Sequence, residues 1–147
     1  MTQLKRILLV EDNPKDIDLT LAVLEESDLD HEVAIARDGT EALDYLYHRG
    51  KFAERAAGLP AVVLLDLKMP KLDGLEVLRL VKADPKLKKL PVVMVTSSRE
   101  SQDLTTSYEL GANAYVVKPT NFQQFTERLK QLISFWTRLN EPPPDCA

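Results

Sequence analysis

The sequence predicts an α/β fold in which a doubly wound, five-stranded parallel sheet lies between two layers of helices. Two observations lead there. The short apolar runs at 7–10, 61–65, 92–95 and 114–117 are continuous rather than alternating, so both faces of each strand are covered. Helical periodicities separate them, and strand and helix alternate five times, a pattern that demands right-handed crossovers and a three-layer sandwich.

The first strand, 7–10, runs into Glu11-Asp12. Asn13-Pro14 then opens a helix, where proline suits the first turn, and Ile17, Leu21 and Leu24 share one face. Residues 32–36 alternate and read as an edge strand with one face less buried. Asp38-Gly39 precedes a helix marked by Ala42, Leu43, Leu46 and Tyr47, and the long, fairly basic connection 48–60 has no evident task. Strand 61–65 ends at Asp66, and the helix after it carries Leu75, Leu78 and Val81 and stops at Asp84-Pro85. Strand 92–95 is followed by Thr96-Ser97-Ser98 and by a helix over 101–110 whose stripe is only Leu104 and Tyr108. Strand 114–117 leads to Lys118-Pro119. The last helix carries Phe122, Phe125, Leu129, Leu132, Ile133 and Trp136, with Asn121 as N-cap and Gln124 at the capping-box position. The flavodoxin-like strand order 2-1-3-4-5 places the alternating strand at an edge, as its pattern asks. One domain therefore spans 1–139. The tail 140–147, with its three prolines, is expected neither to pair nor to coil and to be disordered.

A length of 147 residues suits a single core, and 44% hydrophobic with 29% charged residues excludes a disordered chain. Lys plus Arg number 19 against 23 Asp plus Glu, and a net charge of −4 lacks the basic footprint of a nucleic-acid binder. No run approaches a membrane span, and the first residues hold no signal-peptide core. The single Cys146 excludes an intramolecular disulfide and a Cys-based zinc site, and His31 and His48 are too few for a metal cluster. The expectation is a cytoplasmic protein with neither nucleic acid nor membrane as partner.

Ligands of such sheets bind beyond the C-terminal strand ends, so the residues just after each run matter most. Glu11, Asp12 and Asp66 supply three carboxylates there, Thr96 a hydroxyl and Lys118 an ammonium. Two like charges at ~4 Å repel by about 4 kcal/mol at an effective dielectric near 20. Either some carboxylates stay protonated or a hard cation sits among them. Oxygen ligands without His or Cys suit Mg²⁺, and Mg²⁺ with Lys118 would make a pocket for a phosphoryl group on the remaining carboxylate. Singly, each residue has a plainer reading: Glu11-Asp12 a solvated loop, Lys118 a surface charge, Thr96 a cap or turn, Tyr115 edge-strand core, Phe135 and Trp136 packing. Four strand ends carrying such groups together weigh against coincidence.

The strings Leu9-Val10-Glu11-Asp12, Leu64-Leu65-Asp66-Leu67-Lys68-Met69-Pro70 with Asp73-Gly74, Val95-Thr96-Ser97 and Gly111-Ala112-Asn113-Ala114-Tyr115-Val116-Val117-Lys118-Pro119 resemble two-component response regulator receiver domains over about residues 5–137. The connection before the third strand, Ser107-Tyr108-Glu109-Leu110 and Ser134-Phe135-Trp136 resemble more narrowly the single-domain response regulators of cyanobacterial phytochromes. The resemblance implies that Asp66 accepts phosphate from a sensor histidine kinase, with a phytochrome as the partner. It implies that Asp12 and Asp66 ligate Mg²⁺, Glu11 helps through water and Lys68 lends its backbone carbonyl. It gives Thr96 and Lys118 to the phosphoryl oxygens, makes Tyr115 the aromatic that follows Thr96, and makes the Lys118–Pro119 bond cis. Such a chain promotes its own phosphorylation and dephosphorylation and signals by changed protein–protein contact.

Two rivals differ at named positions. A haloacid-dehalogenase-type phosphatase wants a second Asp two residues after the first, where this chain has Lys68. A flavodoxin wants a Ser/Thr/Gly-rich phosphate loop where this chain has Glu11-Asp12-Asn13-Pro14. A homodimer is expected on the face of the fourth helix, fifth strand and fifth helix. At about 100° per residue, Phe122, Phe125, Leu129, Leu132, Ile133, Trp136 and Leu139 span an apolar sector of roughly 120°. Phe135 falls about 40° outside it, as an extra aromatic at its edge.

Overall fold

The continuous apolar runs form strands because they are rich in β-branched and large aliphatic residues and have a helix layer on each side. The computed structural model describes residues 5–26 and 31–147. Its elements are β1 (Lys5–Val10), α1 (Pro14–Glu26), β2 (His31–Ala36), α2 (Gly39–Leu46), a 3₁₀ turn (Gly50–Phe52), β3 (Val62–Leu65), α3 (Gly74–Ala83), β4 (Val92–Thr96), α4 (Ser101–Glu109), β5 (Ala114–Val117) and α5 (Phe122–Ser134). A π-helical turn (Phe135–Leu139) continues α5. All pairings are parallel, in the expected order β2-β1-β3-β4-β5.

Successive residues of the inner strands point to opposite layers. Leu8, Val10, Val63, Leu65 and Met94 join α2 and α3 through Ala42, Tyr45, Val77, Leu78 and Val81. Ile7, Leu9, Val62, Leu64, Val93 and Val95 pack under α1 and α5 through Ile17, Leu24, Phe125, Leu129 and Ile133. Short polar residues start the helices. Asp38 Oδ1 accepts from Glu41 N (2.8 Å), Asp73 Oδ1 from Glu76 N (3.0 Å) and Asn121 Oδ1 from Gln124 N (3.0 Å). No helix of the described residues is long and apolar enough to cross a membrane.

Several expectations need correction. The run 114–117 is only partly covered: β5 is the outer strand beside β4, and all four of its residues are half-buried, Tyr115 against the α2–α3 side and Ala114 and Val116 against the α1–α5 side. Tyr108 is exposed, and the buried residue of α4 is Ser107. Phe122 and Leu139 leave the apolar face of α5, at 69% and 76% exposure. Phe122 opens the helix, where it lines a groove with Leu19, Ala22 and Pro119. Leu139 closes the π-helical turn, whose five-residue Asn140 N to Phe135 O bond (2.7 Å) breaks the 100° phase.

The tail pairs with the rest of the chain, where its three prolines led to the expectation of neither pairing nor coiling. Leu59 N donates to Asp145 O (3.0 Å), Ala147 N to Leu59 O (2.9 Å) and Arg6 N to Ala147 O (3.0 Å), and Cys146 is buried in the α2–α3 side of the core. The three prolines occupy 142–144, so the amides of Asp145 to Ala147 remain free to donate. The connection 48–60 supplies the acceptor for Ala147 N, Leu59 O, and is itself pinned: Arg55 Nε donates to Tyr45 O (2.7 Å) and the guanidinium lies 3.9 Å from the centroid of the Tyr45 ring.

Candidate functional site

Backbone bonds that run on past the strands fix the residues at the C-terminal edge of the sheet. Glu11 N donates to Ala36 O (3.0 Å), Asp66 N to Val10 O (3.0 Å) and Lys118 N to Thr96 O (2.7 Å). Glu11, Asp12 and Asp66 each bring a carboxylate oxygen within 4.8 Å of the others. Lys118 Nζ reaches into this group, 2.5 Å from Glu11 Oε1, 2.8 Å from Asp16 Oδ2 and 3.4 Å from Asp66 Oδ2. Asp66 Oδ1 accepts from Leu67 N (2.7 Å) and Glu11 Oε2 from Asn13 N (3.2 Å). A cleft of about 500 Å³, lined by Asp12, Asn13, Asp16, Asp66, Ser97 and Lys118 among others, opens onto these groups.

Burial, the largest cause, pushes the Glu11 carboxyl up to about 7, with the Asp66 charge adding to the rise and Lys118 opposing it. Burial works to lower the Lys118 ammonium, but the Glu11 charge and the hydrogen bonds to Asp16 and Glu11 outweigh it and raise its pKa. Lys118 thus stays charged among the carboxylates, and the Glu11 carboxyl resists ionisation. Hard oxygen donors with no nitrogen or sulfur in the cluster fit a hard divalent cation.

Thr96 is buried and accepts from Ser98 N at Oγ1 (3.3 Å). Tyr115 OH donates to Ser98 O (3.0 Å), and Ser98 Oγ donates to Asp103 Oδ2 (2.5 Å) in the first turn of α4. Thr96 and Tyr115 therefore meet at Ser98. Lys68 follows Asp66 on the loop to α3 with its side chain exposed. That loop rests on α2: Leu72 O lies 2.1 Å from where a Cβ on Gly39 would be, and Lys71 Nζ is 3.4 Å from Asp38 Oδ2. Lys71 holds φ 64, a left-handed value that a lysine adopts at some cost.

The sequence-derived set Glu11, Asp12, Asp66, Thr96 and Lys118 converges at this edge. Phe135 and Trp136 lie elsewhere, edge to face at 5.0 Å, beside a groove of about 720 Å³ between β5 and α5. The described residues contain no cis peptide, so the expected cis Lys118–Pro119 bond is corrected to trans, the isomer favoured by about 0.5–1 kcal/mol before proline. Asp16 was missed. An acid in the first turn of a helix is explained by the helix dipole alone, and only the fold brings it to Lys118.

Residues 7–130 match the response regulator receiver domain. The chain belongs to this family. The response regulator Rcp1 of Synechocystis sp. is 42% identical over 132 residues, covering 90% of this chain and 88% of Rcp1. The phosphorylated cyanobacterial phytochrome response regulator RcpA superposes with a TM-score of 0.90 at 41% identity, covering 96% of this chain and 99% of RcpA. The bacteriophytochrome response regulator AtBRR is 60% identical with a TM-score of 0.75, covering 95% of this chain and all of AtBRR (100%). A crystal structure of Rcp1 holds Mn²⁺. The receiver assignment removes the phosphatase and flavodoxin readings; receiver domains bind a divalent metal at an acidic pocket, and Glu11, Asp12 and Asp66 form an acidic group in this chain that could hold one.

Proposed function

We propose that this receiver accepts a phosphoryl group on Asp66 from a sensor histidine kinase of the phytochrome type and passes the change to a protein contact surface in the cytoplasm. The observation that carries the reading is the Lys118 ammonium within hydrogen-bond reach of Glu11 and Asp66 at the open edge of the sheet. Kinship to RcpA and AtBRR supports the phytochrome partner.

In the transfer, an Asp66 carboxylate oxygen attacks the phosphorus in line. The phosphorus–nitrogen bond to the donor imidazole breaks as the new phosphorus–oxygen bond forms, and the imidazole keeps the electron pair. The loose transition state needs alignment and charge stabilisation. Lys118 contributes its charge to the equatorial oxygens, and the Thr96 hydroxyl donates a hydrogen bond to one of them. Glu11, Asp12, Asp66 and the Lys68 carbonyl would hold Mg²⁺, which neutralises phosphoryl charge when bound. Once Thr96 turns toward the phosphoryl group, Ser98 N loses its acceptor, and the Tyr115 and Asp103 contacts to Ser98 carry the change to β5 and α4. This chain acts as a stoichiometric acceptor that promotes its own phosphorylation and dephosphorylation.

The contact surface is the α4–β5–α5 face, and a second copy of the chain is its occupant. Phe135 is 42% exposed beside the β5–α5 groove, and β5 presents an unpaired strand edge. Sedimentation over a concentration series should show a dimer that Phe135→Asp dissociates, and a wild type monomeric at every concentration with and without phosphorylation overturns this surface.

Incubation with Mg²⁺ and acetyl phosphate, followed by mass-spectrometric mapping, tests the acceptor. Phosphate is expected on Asp66, absent from the folded Asp66→Asn chain and absent in chelator. Phosphate mainly on another residue overturns the reading.

A further inference from the structure

Lys118 has three hydrogens to donate, and three carboxylates take them: Glu11, Asp16 and Asp66. Only two of these belong to the acidic group at the strand ends. Asp16 comes from the first turn of α1, yet its Oδ2 is nearer to Lys118 Nζ (2.8 Å) than Asp66 Oδ2 is (3.4 Å). The Lys118 side chain is only 10% exposed, so its bonds are charge-assisted and poorly screened by water.

A phosphoryl oxygen on Asp66 that draws Lys118 closer than the present 3.4 Å does so against the shorter bonds to Glu11 and Asp16. Glu11 is the tightest partner, at 2.5 Å, and with its side chain only 5% exposed it has no water to turn to. Asp66 is the group being modified. Asp16, at 22% exposure the most open of the three, can turn toward water.

We propose that Asp16 is a positioning residue, the carboxylate that Lys118 gives up when Asp66 carries the phosphoryl group. It parks the ammonium before transfer and weakens the site's hold on phosphoryl, in competition for the same hydrogen. The inference rests on Asp66 as acceptor.

The test is a calorimetric titration of wild type, Asp16→Asn and Asp18→Asn with beryllofluoride, an acyl-phosphate mimic, at saturating Mg²⁺. Asp18 is exposed on the same helix and controls for loss of one negative charge. Asp16→Asn is isosteric, and Asp16→Ser is the second variant should the first fold poorly. Both Asp16 variants are expected to bind about tenfold more tightly than wild type, the scale of one charge-assisted hydrogen bond, with Asp18→Asn unchanged. The gain should persist in about 1 M salt, where screening acts within about 3 Å, because contact and not the long-range field produces it. Wild-type affinity in the Asp16 variants, or a gain that disappears in salt, overturns this inference alone. A wild type that binds no beryllofluoride overturns the acceptor reading and this inference with it.

Discussion

Helices α3 and α4 each follow a strand that delivers a site residue, Asp66 for α3 and Thr96 for α4, and they are attached to the sheet by different means. α3 begins with a side-chain cap from Asp73 and buries Gly74, Val77, Leu78 and Val81. α4 has no side-chain cap bond at Glu100 and buries Ser107, whose hydroxyl has no hydrogen-bond partner among the described residues. Each large aliphatic side chain buried in α3 contributes about 1.5–3 kcal/mol, whereas the buried hydroxyl of α4 costs free energy. What joins α4 to the site is polar, the Ser98–Asp103 bond at its first turn. A well-anchored helix therefore stands behind the loop that carries Asp66, the proposed acceptor, and a lightly held one stands behind the loop after Thr96. Elements that rearrange belong to the low-stability end of a fold.

The contrast can be broken most directly in the core. Leu78→Ala in α3 should lower the unfolding free energy by about 3 kcal/mol in urea titrations, through lost burial and the cavity left behind. A loss below about 1 kcal/mol would mean that α3 is no better anchored than α4. At the helix start, Asp73→Ala removes the acceptor for Glu76 N and should cost about 1 kcal/mol. An effect of similar size and opposite sign sharpens the comparison: Ser107→Ala should stabilise the chain by about 1 kcal/mol, because an unpaired buried hydroxyl is removed. Thr105→Ala, exposed on the same helix, gains helix propensity alone and serves as the reference. Equal gains from the two would show that the Ser107 hydroxyl carries no penalty. The same Ser107 variant should slow amide exchange in α4 and leave α3 unchanged. At the low end, Tyr108→Ala should change stability by less than about 0.5 kcal/mol, since that ring is 52% exposed.

The sheet was legible because burial on both faces leaves an unbroken apolar run, and the site was legible because strand ends place their residues by construction. Glu11, Asp66 and Lys118 needed only the strand order to be brought together. Asp16 needed the angle at which α1 leaves β1, which no periodicity encodes. The bridge that pairs Cys146 with Leu59 spans 87 positions, so a local reading of three prolines gave an unpaired tail instead. For Phe122 and Leu139 the helical arithmetic was sound but incomplete. It assigns a face without saying where the sheet beneath that face ends, and it assumes a turn of constant width through Phe135–Leu139.

The contact between Gly39 and Leu72 turns α2 into a mechanical seat for chemistry it never touches. A Cβ at position 39 would stand 2.1 Å from the Leu72 carbonyl oxygen, so any larger residue there must lift the segment that leads from Asp66 into α3. The loop that carries Asp66 inherits its height above the sheet from a neighbouring helix, as a hinge inherits its axis from the frame. A methyl group added at position 39, with every carboxylate, Thr96 and Lys118 intact, would thus alter the shape of the cleft.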